Sequence, residues 1–240
     1  MPQLAIAKLM SAEGAILGTA FAVSRYLAIT AFHCIAKGEE VIHRKVTLCW
    51  RGGPLHSVAE FAAGDFILDY ALFEIRPPIL DAYDLKPLNV FRPSGSDAEL
   101  RDLEFRSEGF PADLDKKVNA PALFGRISSY SITIKKTGAP AVQLFCPDAT
   151  NFHRLQGYSG APAYVGSDHA LGLIRWNPTL EPGDLGYSEA SAGMAIGAMI
   201  CATSIQLIAD ARPLFFRDAN FFRYDPQNAW QNWGNPWFRC

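Results

Sequence analysis

Apolar and polar residues alternate along this chain over short stretches, and they rarely recur at the three-to-four spacing of a helix. Runs with the two-residue period of a strand, or wholly apolar runs too short for a helix, occur at GAILGTAFAV (14–23), YLAIT (26–30), EVIHRKVTLCW (40–50), LHSVAEFAA (55–63) and LDYALFEI (68–75). A second set occurs at SYSITIKK (129–136), AVQLFC (141–146), ALGLIRW (170–176) and GMAIGAMICA (193–202). Gly, Pro, Asn and Asp break the runs at the short intervals of a barrel or sandwich, so the pattern predicts an all-β protein. TSIQLIADA (203–211) is the exception, because Thr203 or Ser204 can cap a helix whose Ile205, Ile208 and Ala209 share one face.

Composition narrows the picture. A chain of 240 residues, 49% apolar, can bury a full core as one domain or as two fused halves. The segment from Pro77 to Gly109, rich in Pro, Asp and Ser, is the expected connector between two strand-rich halves. A net charge of −2, with both signs dispersed, leaves no basic footprint for nucleic acid and no polybasic patch for a membrane surface. The amino terminus has no charged start, long apolar block and small-residue cleavage site in series, and no stretch reaches the roughly 18 apolar residues of a span. Cys34, Cys49, Cys146, Cys201 and Cys240 are odd in number and lack CxxC spacing, which argues against a disulfide framework and a zinc site and for a reducing cytoplasm. No metal is expected. The tail from 213 to 240 is aromatic, with Phe215, Phe216, Phe221, Phe222, Tyr224, Trp230, Trp233, Trp237 and Phe238. It either coats the barrel surface or docks a regulatory protein partner.

Three polar residues stand out in apolar settings. His33 follows a β-rich run in TAFHC, Asp69 opens the apolar strand DYALFEI, and Ser159 lies between glycines in LQGYSGAP. A serine needs a base to become a nucleophile, histidine serves at neutral pH, and a buried carboxylate fixes the histidine tautomer. An acid at an apolar strand is costly unless it has such a partner. Asp65, in the turn-like AAGD, is read as a turn former.

In that order the three segments resemble the trypsin/chymotrypsin-type serine proteases, in their shorter bacterial form. TAFHC resembles the family's T-A-A-H-C, DYALFEI its D-x-A-L, and GYSGAP its G-D-S-G-G-P. GFP (109–111) and GRIS (125–128) resemble turns of the second barrel, LGLIRWN the strand that pairs with substrate, and GMAIGAMICATSIQLI the last strand and closing helix. The resemblance runs from about residue 14 to 211 and implies two six-stranded antiparallel β-barrels with the active site between them. It divides the chain into a protease domain (1–212) and the aromatic tail (213–240). Within the domain lie barrel one (about 1–80), a connector (about 81–108), barrel two (about 109–202) and the closing helix (about 203–211).

The resemblance also assigns roles. Ser159 would attack a peptide carbonyl, His33 would carry the proton, Asp69 would orient His33, and the N–H groups of Gly157 and Ser159 would form the oxyanion hole. His153, six residues before the serine, falls at the specificity pocket with Arg154, while Arg175, Trp176 and Asn177 fall on the substrate-pairing strand. These basic groups imply an acidic or polar P1 side chain and exclude a trypsin-like preference. Tyr158 replaces the aspartate that would pair with a cut amino terminus, so control falls to the loop at 151–158, to specificity or to a tail partner. The implied substrate is a protein or peptide, and the chemistry needs no cofactor. The alternative is a catalytically silent module that binds through its cleft and tail.

Overall fold

The structure, a computed structural model, describes residues 3–52, 55–78, 84–110, 122–134, 137–147, 157–176 and 199–224, with the Trp176 side chain excepted. Twelve strands build two closed antiparallel barrels. The first contains β1 (Ile6–Met10), β2 (Ile16–Ala22), β3 (Leu27–Thr30), β4 (Lys45–Trp50), β5 (His56–Asp65) and β6 (Tyr70–Ile75). They pair in the order β1-β2-β3-β6-β5-β4, and β4 returns to β1. In β4 the two-residue period is direct: Val46, Leu48 and Trp50 are buried, while Lys45, Thr47 and Cys49 face outward.

The second barrel contains β7 (Glu104–Glu108), β8 (Ala122–Thr133), β9 (Pro140–Phe145), β10 (Pro162–Val165), β11 (His169–Trp176) and β12 (Met199–Ser204). The ring runs β10-β7-β8-β9-β12-β11 and closes through the β10–β11 pairing. GRIS, expected at a turn, lies inside β8. A Cβ on its Gly125 would come within 2.0 Å of the Phe145 carbonyl, so glycine is required there for the close approach of β9.

The segment expected to be a connector (81–108) is partly structured. Leu85–Lys86 pairs with Gln3–Leu4, Asn89–Pro93 pairs in parallel with β11, and its last five residues are already β7 of the second barrel. The helix spans Ile205–Ala211, and the Ser204 hydroxyl accepts the Leu207 N–H as its cap. Its Ile205, Ile208 and Ala209 are buried in the first core. No helix of the described residues is long and apolar enough to cross a membrane.

The first part of the tail belongs to the body of the fold. Phe216 is 2% exposed within the first core, and Phe221–Tyr224 adds a parallel strand beside Asn89–Pro93. Tyr224 is buried in the second core, and the Phe222 ring lies against His169 with centroids 3.8 Å apart and planes tilted by 50°. Residues 225–240, with the tryptophans of the tail, lie outside the described residues.

This packing yields a first expectation. Phe216→Ala should lower unfolding free energy by about 3 kcal/mol or more, the usual result of truncating a buried Phe. Leu214→Ala, at an 85% exposed position in the same turn, should change it by less than about 0.5 kcal/mol. Urea denaturation of the two variants checks the difference.

Candidate active site

His33 sits in a single 3-10 turn, Phe32–Cys34, that follows β3. Phe32 and Cys34 are buried and pin the turn, leaving the His33 side chain 47% exposed at its surface. Asp69 immediately precedes β6, with φ +54, a left-handed conformation that L residues other than glycine disfavour. Its carboxylate holds His33 twice. Oδ1 accepts the His33 backbone N–H at 2.9 Å, and Oδ2 lies 2.8 Å from ring Nδ1. A carboxylate only accepts, so Nδ1 carries the proton and Nε2 presents its lone pair outward. Burial works to lower the imidazole pKa, but the hydrogen bonds to Asp69 and Cys34 and the Asp69 charge outweigh it and raise it above the ordinary histidine value.

The Asp69 turn is held from several sides. Asp65 accepts the Leu68 N–H at 2.8 Å, the turn role expected of it. From the second barrel, the Thr203 hydroxyl donates to the Leu68 carbonyl at 2.6 Å and Arg175 Nη2 donates to the Ile67 carbonyl at 2.9 Å.

Ser159 lies between Tyr158 and Gly160 in the tight turn before β10, at the surface where the barrels meet. Its carbonyl accepts the Thr19 N–H at 2.9 Å and the Cys34 thiol at 3.7 Å. Cys34, the neighbour of His33, thus touches the backbone of Ser159 and stands as a free thiol. The Thr19 hydroxyl donates to the Gly157 carbonyl at 2.6 Å and accepts the Phe110 N–H at 3.0 Å. Gly160 has φ +81, and a Cβ there would meet the Thr19 carbonyl at 2.2 Å and the Thr30 hydroxyl at 2.4 Å. Only glycine lets the serine turn come this close to the first barrel. Tyr158 is 1% exposed and packs its ring on Gly109, which anchors this turn.

His33 and Asp69 are therefore paired, and the Ser159 turn docks beside them through Thr19 and Cys34. Arg175 lies on β11, the strand expected to pair with substrate, but points into the protein. Its side chain is 6% exposed, with Nε 3.8 Å from Asp69 Oδ2. A bulge in the pairing with β12 falls here, between Ile174 and Trp176. His153, Arg154 and Asn177 lie outside the described residues, as does the loop at 151–156, and Trp176 is described only as backbone, paired with Cys201. Thr19 is the participant that sequence reading missed; a threonine in an apolar strand carries no signal of its own. Among the described residues no three His, Cys, Asp or Glu side chains converge as metal ligands.

Comparison with known proteins places this geometry. No protein-family profile and no curated protein matches the chain. Solved structures do: the HtrA-type protease AlgW, solved with a decapeptide, superposes with a TM-score of 0.59 at 14% identity over 88% of this chain. The fold is the double barrel of the trypsin-like serine proteases. The Rv3671c protease in its inactive form gives a TM-score of 0.57 at 17% identity, covering 89% of this chain and 90% of that one. A Ser-to-Ala mutant of Rv3671c from M. tuberculosis H37Rv, also inactive, gives 0.55 at 16% identity, covering 88% and 86%. The chain spans 64% of the length of AlgW.

The crowding at Gly160 can be separated from its backbone strain. Gly14→Ala, at φ +86 with nothing within 4 Å, should cost about 1 kcal/mol for the left-handed conformation alone. Gly160→Ala should cost about 2–4 kcal/mol, because the methyl must also displace Thr19 and Thr30. Chemical denaturation of both variants measures the gap.

Proposed function

We propose that the protein is a serine endopeptidase in which Ser159 is the nucleophile, His33 the general base and acid, and Asp69 the residue that orients His33. The observation that carries this reading is the double grip of the Asp69 carboxylate on the His33 ring and backbone beside the docked Ser159 turn. With Nδ1 protonated against Asp69, Nε2 takes the Ser159 hydroxyl proton as Oγ attacks the peptide carbonyl. The oxyanion is held by the N–H groups of Gly157 and Ser159. The neighbouring N–H groups of Gly160 and Ala161 are committed to the Ile174 and Tyr158 carbonyls. His33 returns the proton to the leaving amine, and water then resolves the acyl-enzyme by the same steps.

The substrate is a protein or peptide; the likeness to AlgW, solved with a decapeptide, supports this class. With Arg175 turned to Asp69, an acidic or polar P1 preference rests on His153 and Arg154. The absence of a cysteine framework suits a reducing, intracellular setting. Regulation through the tail falls to residues 225–240, since 213–224 are engaged in the two cores. A catalytically silent binding module is disfavoured, because binding in a cleft gives no use for a buried carboxylate fixed on an exposed imidazole.

The test is covalent labelling by a fluorophosphonate together with peptide hydrolysis. Wild type should label, Ser159→Ala should not, and Asp69→Asn should slow the reaction by about 10⁴-fold while leaving the protein folded. Equal labelling of wild type and Ser159→Ala would refute the assignment. The pH dependence has a fixed sign. A general base must be neutral, and His33 has a raised pKa, so the rate should rise with pH through a midpoint above 6.5. Asp69→Asn should move that midpoint down.

A further inference from the structure

Among the described residues, Arg175 is the guanidinium that reaches Asp69. It projects from β11 of the second barrel toward a turn of the first, and its side chain is 6% exposed. Nη2 donates to the Ile67 carbonyl at 2.9 Å and Nε lies 3.8 Å from Asp69 Oδ2, while Nη1 is buried without a hydrogen-bond partner among the described residues. Removing a cation from water costs several kcal/mol, and an apolar side chain of equal volume would fill the same space without that cost. Space filling therefore does not account for an arginine here. Its charge faces Asp69, the carboxylate that grips His33.

We infer that Arg175 is a positioning residue that holds the Ile67–Asp69 turn from the opposite barrel and shares the charge of Asp69, thereby setting the basicity of His33. This rests on the triad reading above. Two N–H groups approach the same oxygen: His33 Nδ1 at 2.8 Å and Arg175 Nε at 3.8 Å from Oδ2. An Asp69 whose charge is partly balanced by Arg175 stabilises the imidazolium less, so His33 stays neutral to lower pH than Asp69 alone would allow. More of the enzyme then holds a base ready to accept the serine proton.

The other groups around the pair do not reverse this sign. Cys34 lies beside His33, and Asp65 faces Arg175 from the same hairpin while accepting the Leu68 N–H. Cys201 faces Arg175 from β12, and burial pushes its thiol up to about 11, so it stays neutral across the working range.

The experiment compares wild type, Arg175→Lys, Arg175→Gln and Arg175→Met by following the His33 ring resonances through a pH titration and the fluorophosphonate rate over the same range. The NMR midpoint reports on His33 whether or not the protein is catalytic. Removing the cation with Gln or Met should raise the His33 midpoint by about one pH unit, at the low end of the effect of one charge at this distance. The labelling rate at pH 7 should fall about tenfold with it and recover at high pH. Lysine, which keeps the charge, should restore the midpoint more fully than the rate, because its single ammonium cannot both donate to the Ile67 carbonyl and face Asp69 as the guanidinium does. Gln and Met differ in polarity, so one folded variant of the two suffices, with Lys as its charged partner. An unchanged midpoint and pH profile in either neutral variant would overturn the inference. A shifted midpoint in a wild-type protein that never labels would uphold the role of Arg175 and refute the protease reading instead.

Discussion

The site depends on one contact, the seating of the Gly157–Gly160 turn of the second barrel against Thr19 of the first. His33 and Asp69 belong to the first barrel and Ser159 to the second, so no arrangement within either barrel can bring the three together. Thr19 secures the turn at two points, with its N–H on the Ser159 carbonyl and its hydroxyl on the Gly157 carbonyl. Gly160 permits the approach by lacking a side chain. Thr19 is fully buried, so leaving its donors unpaired carries a desolvation cost of about 1–3 kcal/mol.

Other contacts across the same surface reinforce this seating in both directions. Thr203 and Arg175 reach from the second barrel to the turn that carries Asp69. Arg51, at the end of β4 in the first barrel, pairs with Glu108 of β7, a 3% exposed carboxylate that also accepts the Tyr164 hydroxyl at 2.9 Å and Arg106 at 2.7 Å. A carboxylate this deeply buried is tolerated because its oxygens are matched by donors on every side, and losing one donor would leave an uncompensated charge. The strained φ of Asp69 belongs to the same logic: a conformation costing on the order of 1 kcal/mol persists because neighbours from both barrels over-determine it.

Much of this was legible before the fold was known, and the residues that were not share a cause. His33, Asp69 and Ser159 stood out because polar groups in apolar runs need partners, and Ser204 with Ile205, Ile208 and Ala209 announced the helix through cap and spacing. Strand β1, with the sequence IAKLM, was missed because Ala, Lys, Leu and Met favour helices; pairing with β2 and β4 overrides that preference. Strand β10 opens on a proline and is buried on both faces, so it shows neither the composition nor the alternation of a strand. Strand β7, EFRSE, reads as a polar loop until Glu108 is seen among its donors. The direction of the Arg175 side chain was not legible, since a shift of one residue in register sends a strand side chain to the opposite face and a bulge falls between Ile174 and Trp176. In the tail, aromatic composition was evident but the destination of each ring was not: Phe216 and Tyr224 enter different cores.

The central claim is that docking of the two barrels creates the nucleophile. The most direct measurement is the rate at which a fluorophosphonate modifies the protein, with the adduct located by peptide mass spectrometry, followed through a urea titration alongside far-UV circular dichroism. The account predicts a single adduct at Ser159 in the native protein and loss of labelling at or below the urea concentration where the strand signal begins to fall. An adduct on another hydroxyl of the native protein, or modification of Ser159 that continues undiminished after the barrels have unfolded, would contradict it.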